Sequence, residues 1–462
     1  MKESLLFLGY FYFATEKYRN GTNNSCAPPP DHKIITTTLT AYAFEYQKDQ
    51  LESITKRIPS GMKVAVVSVV GAFRTGKSFL LSFFLRYLHS LEHPEEFEDE
   101  NNNRKEWYEL SDSLKSYDGF HWRAGSERDT TGIWMWSHPY IINNVAVLLV
   151  DTQGMFDNET TMKLTASIFG LSTLLSSYQI YNVDKMIGED VLQQLGLFTE
   201  YGRVASDNSR NEKQKKKKNN DKPFQKVEFL VRDWQHFEEE EDVVKMAAEM
   251  DKVLEKVMSD RDAHDLKETR EQIVACFDKI TIYGLVHPGF AVTKKSYNGE
   301  VDKIEPVFLR LLDQYCRRVF TNLEPKTIHG RQITGPELAT FIEAYAEMFK
   351  TGADFPAATT MLEATSAASN TNAINLAMEE YKNSMDRVAG PQASNYVKED
   401  ELAEDHKQFV SRSLDKFNSI ATFGSKSSIE KSKRDLLGKI DKDFEMYKSL
   451  NNGRNPLLGL EL

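Results

Sequence analysis

Cysteine is scarce in this chain: Cys26, Cys276 and Cys316 are the three among 462 residues. They form no metal-ligand cluster and no disulfide framework. Long apolar runs are missing too, since no window approaches the roughly 18 to 20 continuous apolar residues of a membrane-spanning helix. The apolar stretch from Leu5 to Ala14 is short and lacks the small-residue cleavage site of a secretory leader. It reads as a core strand of an N-terminal extension or as a weakly signal-like, membrane-touching segment. There is no cationic excess: 58 Lys and Arg stand against 69 Asp and Glu, a net charge of -11. That balance argues against nonspecific nucleic-acid binding as the main activity. With 40% hydrophobic and 27% charged residues, the composition fits a cytosolic globular chain with more than one core.

What is present is more specific. The apolar run Val64 to Val70 feeds Gly71-Ala-Phe-Arg-Thr-Gly76-Lys77-Ser78, a GxxxxGKS phosphate loop. Glycines let the backbone wrap around phosphates with its amides turned inward, Lys77 supplies a point charge, and Ser78 offers a hydroxyl to magnesium. The segment Phe79 to Leu88 then reads as a buried helix whose positive N-terminal end faces those phosphates.

Downstream, Val145 to Val150 is a second apolar strand ending in Asp151-Thr-Gln-Gly154. In P-loop NTPases an Asp there holds magnesium, usually through a water, and the glycine amide senses the terminal phosphate. Between the two motifs lies Phe120 to Trp136, rich in hydroxyls, arginines and glycines, with the makings of a first switch loop. A Thr in such a loop completes the magnesium shell only when the terminal phosphate is present. From composition alone Thr130 and Thr131 are as well read as turn residues.

These residues resemble the atlastin and guanylate-binding branch of the dynamin-related large GTPases. GAFRTGKSF, WRAGSERDTTGI, LLVDTQGMFD, LFTEYGR and FLVRDW stand in that family's order, and the similarity spans roughly residues 45 to 450. Arg-Thr-Gly-Lys-Ser and Gly-Ile-Trp-Met-Trp lean towards the guanylate-binding proteins, whereas Glu127 to Gly132 and Phe229 to Trp234 match atlastins better. The resemblance turns Thr130 into a switch threonine. It implies nucleotide contacts from Arg74, Thr75, Gly76, Lys77, Ser78, Phe79, Arg123, Gln153, Gly154, Arg232, Asp233 and Val292. It gives hydrolysis to Arg74, Lys77 and Thr130, and Mg2+ to Ser78, Thr130 and Asp151.

No NKxD or TKxD motif follows Gly154 in the GTPase-like region, and Arg232-Asp233 resembles the family's replacement. Asp233 ends the strand Val227 to Val231, where two carboxylate oxygens can accept from guanine N1-H and N2-H; adenine lacks that donor pair. His287-Pro-Gly-Phe290 and the residues after it resemble the segment covering the guanine, with Val292 packed on the base. Lys295 falls where the family pattern has Asn, and His287 itself reads best as a turn histidine before Pro288. Arg74 resembles an internal arginine finger, which neutralises charge developing between the transferred phosphoryl and its leaving oxygen. Gln153 is displaced from the water-orienting glutamine of small GTPases, which leaves that role open, with the switch-loop backbone a candidate.

The implied fold is an α/β P-loop GTPase domain with a mostly parallel central sheet, followed by an all-α helical bundle. Residues 1–45 read as a partly disordered extension, 46–325 as the GTPase domain, 326–335 as a linker, 336–450 as a three-helix bundle and 451–462 as a tail. Asn208 to Asp221, centred on Lys215 to Lys218, interrupts the family pattern as a solvated insert or a patch drawn to an anionic membrane. Pro336 suits a first helical turn, and Glu337 to Phe349 has helical apolar spacing. By resemblance, GTP would promote homodimerisation and hydrolysis to GDP would move the bundle, with the segment from Leu323 to Gly335 as hinge. In the family, with a membrane anchor, this tethers and fuses endoplasmic reticulum membranes. A transmembrane hairpin follows the helical region there, and this chain ends about where it would begin, so the expected location is the cytosol or the cytosolic face of that membrane. Two other functions fit the same residues: a guanylate-binding-type GTPase with a defence or scaffolding role, and a GTP-gated interaction module that does not hydrolyse.

Overall fold

The computed structural model describes residues 32–38, 43–97, 105–108, 113–114, 119–120, 132–155, 162–196, 222–238, 242–351 and 358–455. Arg123, Thr130, the stretch from Leu5 to Ala14, LFTEYGR and the Lys215 to Lys218 insert lie outside the described residues. In chain order the strands are β1 (His32–Thr38), β2 (Ala43–Tyr46), β3 (Lys63–Gly71), β4 (Ile133–Met135), β5 (Tyr140–Ile142), β6 (Val145–Thr152), β7 (Tyr178–Asp184), β8 (Phe224–Arg232), β9 (Phe277–Gly284), β10 (Thr327–Ile328) and β11 (Arg331–Gln332). The helices are α1 (Lys48–Thr55), α2 (Lys77–Glu92), α3 (Met162–Leu175), α4 (Glu189–Gly196), α5 (Val243–Met258), α6 (His264–Cys276), α7 (Pro306–Thr321), α8 (Gly335–Thr351), α9 (Ala358–Ala389), α10 (Glu399–Ile420) and α11 (Lys426–Asn452).

The first nine strands form one sheet in the order β2-β1-β4-β6-β3-β7-β8-β9, with β5 also paired to β6. The five strands β6, β3, β7, β8 and β9 run parallel to their neighbours, and β1, β2, β4 and β5 join antiparallel. β3 reads as an unbroken Val-rich run because both of its faces are covered; it is buried from Val64 to Gly71. Helix α2 packs through Phe83 and Phe84, whose rings meet Phe308 and Phe320 of α7 at centroid distances of 6.3 and 5.1 Å. Fully buried aromatic and leucine side chains contribute about 1.5 to 3 kcal/mol each, so α2 is a fixed body from which the phosphate loop is hung. Cys276 and Cys316 are buried in this core as reduced thiols.

The structure adds detail to three of the expected segments. The lead-in up to residue 46 carries β1 and β2, which extend the sheet beyond β4; the run His32 to Thr38 lacks regular alternation and does not stand out as a strand without its neighbours. The linker is not a free tether. Lys326 N donates to the Val64 carbonyl at 2.6 Å, Lys63 bridges to Thr334, and β10 and β11 form a hairpin between these two joints. The bundle is divided as well: Leu338, Phe341, Ile342 and Tyr345 of α8 and Met361 and Leu362 of α9 belong to the core of the GTPase body. A second core begins at Ala373 of α9 and runs through Phe409 and Phe417 of α10 to Leu436, Ile440 and Tyr447 of α11. The helical repeat fixed which face of α8 is apolar, and tertiary contact alone decides which core that face joins.

Candidate functional site

The phosphate loop leaves β3 where the strand order diverges, with β6 on one side and β7 on the other. Crevices outside the carboxyl ends of parallel strands at such a point are where ligands bind in open α/β sheets. Gly71 has φ 151°, and a Cβ there would lie 2.3 Å from the Asn182 carbonyl oxygen, so the loop's first residue has to be glycine. Arg74 takes the left-handed conformation with φ 64°, rare for a residue with a side chain. Gly76, with φ 79°, is the N-cap of α2, and the helix begins at Lys77. The first turn, Lys77 to Phe79, thus stands at the positive end of α2, the kind of helix terminus at which anions bind.

Lys77 is buried, and its ammonium donates to the Ala72 carbonyl at 3.1 Å, so its charge already lies within the loop. Ser78 Oγ donates to Asp151 Oδ2 at 2.5 Å. The hydroxyl from the start of α2 and the carboxylate from the end of β6 therefore converge on one point. Phe79 is different: its ring is buried, edge-on to Phe83 and Tyr297 at 5.1 and 6.5 Å. Only its backbone amide can serve a phosphate.

The segment after Asp151 is sewn to the loop. Phe73 N donates to the Met155 carbonyl at 2.8 Å and Met155 N to the Gly71 carbonyl at 3.1 Å. This brings Gly154 so close that a Cβ would stand 2.7 Å from Phe73 Cα. Gln153 is buried and turned the other way: its Oε1 accepts from Gly132 N at 2.9 Å, while its own N donates to the Gly132 carbonyl at 2.8 Å. It thus holds Gly132, within the stretch from Phe120 to Trp136, in place.

Asp233 sits at the tip of β8 with φ 58° and is half-buried. Its neighbour Arg232 is directed to the phosphate loop instead. Arg232 is buried, its guanidinium lies 3.4 Å from the Thr75 carbonyl and 5.8 Å from the Phe308 ring, and desolvation pulls its pKa below the ordinary arginine value. Asn182, at the end of β7, reaches the same carbonyl at 2.8 Å and Thr75 Oγ1 at 3.2 Å. Nothing in the motif survey pointed to Asn182; the one available signal was a polar residue near the end of the apolar strand Tyr178 to Val183. On the cover segment, Val292 is half-buried in the 3-10 turn Phe290–Thr293. His287 Nδ1 accepts from Gly289 N at 3.0 Å, the turn role expected of it, and Lys295 is exposed.

A hydroxyl and a carboxylate are the hard oxygen donors that magnesium takes, and one or two protein ligands suffice when phosphates and waters complete the shell. The Ser78 and Asp151 pair fits that ion. Among the described residues no group of three or more His, Cys, Asp or Glu could hold a metal.

Comparison with known proteins bears on the whole chain. Residues 42–328 match the sequence model of the guanylate-binding protein N-terminal domain, and residues 329–454 match that of its C-terminal domain. Atlastin-3 of Homo sapiens is 35% identical over 437 residues, covering 92% of this chain and 76% of the relative. Atlastin of Drosophila melanogaster is 35% identical over 402 residues, covering 85% and 70%, and atlastin-2 of Xenopus laevis is 32% identical over 454 residues, covering 96% and 75%.

Proposed function

Because this chain belongs to the guanylate-binding and atlastin family of dynamin-like GTPases, we propose that it binds GTP with magnesium at the carboxyl end of β3 and hydrolyses it with Arg74 acting in cis. The convergence of Ser78 and Asp151 at 2.5 Å carries this reading. Ser78 would hold magnesium directly and Asp151 through a water, with Thr130 of the switch completing the shell. The ion, when bound, supplies a positive charge on the β- and γ-phosphate oxygens. Lys77 and the first-turn amides of α2 bind the ground-state phosphates. Arg74, exposed on the loop, would meet charge building on the oxygen between the β- and γ-phosphates as water attacks the γ-phosphorus and that bond breaks, leaving GDP and phosphate. Asp233 would select guanine, Val292 would cover it, and Arg123 would join from the switch. The Gly154 amide would sense the terminal phosphate.

In this reading GTP favours a homodimer through the GTPase faces and shifts the second helical core, at the cytosolic face of the endoplasmic reticulum membrane. Among the described residues no helix is long and apolar enough to cross a membrane. The deciding experiment separates binding from chemistry. Lys77→Ala should reduce GTP affinity, whereas Arg74→Ala should keep affinity and lower the single-turnover rate by about a thousandfold. Unchanged turnover in Arg74→Ala would remove the internal finger, and no phosphate release from the parent chain would leave a GTP-gated binding module.

A further inference from the structure

We propose that Asn182 is a positioning residue for hydrolysis: it holds the Arg74-Thr75 segment of the phosphate loop in the conformation that presents Arg74 to the nucleotide. The proposal rests on reading Arg74 as the internal finger.

The geometry has three parts. First, the backbone of Asn182 is paired with Gly71 in the β3-β7 ladder, so the residue is anchored beside the point where the loop begins. Second, its side chain, in a residue only 1% exposed, crosses to the far end of the loop and donates from Nδ2 to both the carbonyl and the hydroxyl of Thr75, at 2.8 and 3.2 Å. Third, Arg74 lies between these two anchors at φ 64°. A left-handed conformation at a residue with a Cβ persists only where its surroundings over-determine it. Thr75 Oγ1 adds a bond back to the Ala72 carbonyl at 2.9 Å, and Arg232 approaches the Thr75 carbonyl from the other side at 3.4 Å. Asn182 provides the shortest of the side-chain bonds that reach Thr75 from outside the loop.

Without the Nδ2 donor, Arg74 is free to relax to an ordinary negative φ, and its side chain then leaves the loop in another direction. Ground-state binding does not depend on that direction, because Lys77 and the first-turn amides carry it. Turnover does, since a displacement of about 1 Å in a catalytic group costs on the order of a hundredfold.

The test is a mutant cycle on the full chain, read by single-turnover GTP hydrolysis and by affinity for GDP and for GDP with aluminium fluoride. Asn182→Ala should lower turnover about tenfold to a hundredfold, keep GDP affinity within about threefold, and weaken the transition-state mimic in proportion to the rate. Asn182→Leu, close in volume and unable to donate, should do the same, which guards against a cavity in the Ala variant; melting temperatures report whether each has folded. Combined with Arg74→Ala, either change should add little further loss, because both act through one guanidinium. Parent-like turnover in both Asn182 variants, or losses that multiply with Arg74→Ala, would overturn the proposal while leaving the finger intact. Parent-like turnover in Arg74→Ala alone would instead remove the finger reading and the proposal with it.

Discussion

Lys326 donates its ammonium to the Ser176 carbonyl at 2.8 Å from a fully buried position at the joint between β3 and the hairpin of β10 and β11. Burial pushes its pKa down from 10.5 to about 7. Between those values the unfolded chain carries a proton that the folded chain has released, so this group makes stability rise with pH across that window, and its penalty is full below it. Lys326→Met should therefore differ from the parent in slope. Its stability relative to the parent falls as pH rises above 7, by up to about 1.4 kcal/mol per pH unit. Urea midpoints at pH 6.5, 7.5 and 8.5 measure this, and a pH-independent difference would mean that the lysine titrates normally.

Gly154→Ala tests how tightly the stretch after β6 is bound to the phosphate loop. The added methyl would meet backbone at 2.7 Å, where no side chain can swing aside, so the loop itself has to shift. GTP affinity should drop about tenfold or more, while overpacking of this kind lowers stability by about 1 to 3 kcal/mol. Parent-like affinity by nucleotide titration would show that Phe73 and Gly154 separate without consequence.

Asp233→Asn addresses base selection. An amide reverses part of the donor and acceptor pattern at the tip of β8, so GTP should weaken by on the order of a hundredfold while xanthosine triphosphate gains. Arg232→Ala should behave differently from Asp233→Asn, because its guanidinium lies against Thr75 and not at the base edge. It should leave the preference between the two nucleotides as in the parent. Competition binding with GTP and xanthosine triphosphate separates the two, and equal losses in Asp233→Asn would remove its base-reading role.

How legible the site was depended on whether a residue's partner is near in sequence. Gly71, Gly76, Lys77 and Ser78 were readable because the phosphate-loop geometry is local, and Asp151 because it ends an apolar strand. Asn182 was not, since its partner Thr75 is 107 positions away and an Asn at a strand end carries no spacing pattern. Glu228 makes the same point within the fold. In the sequence it interrupts the apolar run Val227 to Val231; in the structure it is buried, accepts from Tyr178 and Thr281 at 2.6 and 2.7 Å, and faces Arg318 at 3.3 Å. The Arg-Asp pair at the end of β8 was read as a unit, yet Arg232 is buried against Thr75 while Asp233 is half-buried at the strand tip.

Glu337 is the strongest local lock on the linker. Thr334-Gly-Pro-Glu337 forms half of a capping box, with the carboxylate accepting from Thr334 N and Oγ1 at 2.8 and 2.9 Å and from Arg331 at 2.5 Å. Glu337→Ala strips a buried carboxylate from three donors and should destabilise the chain by about 2 to 4 kcal/mol. Arg331→Ala, whose guanidinium is partly exposed, should cost about 1 kcal/mol or less. Urea denaturation checks both, and similar small losses would make the hairpin a passive connection.

The two cores suggest where a nucleotide-driven joint should lie. Between them α9 carries polar side chains bonded to other elements: Ser366 Oγ to the Phe423 carbonyl at 3.1 Å, Asn370 Nδ2 to Ser428 Oγ at 3.3 Å, and Asn372 Nδ2 to the Glu337 carbonyl at 3.2 Å. Parting apolar faces costs about 25 cal/mol for every Å² exposed, whereas a hydrogen bond exchanged for water costs about 1 kcal/mol. Any nucleotide-driven movement should therefore open at this polar stretch and leave α8 on the GTPase body. A nucleotide shifts the equilibrium only by the difference in its affinity for the two arrangements. Spin labels at Lys267 and Lys442 should report a distance change between the nucleotide-free and GTP-analogue states, whereas labels at Lys267 and Glu347 should report none, with sedimentation recording the accompanying dimer. If the Glu347 distance moves together with the Lys442 distance, the joint lies at the linker as the sequence implied. If neither distance changes and the chain stays monomeric, nucleotide and bundle are uncoupled.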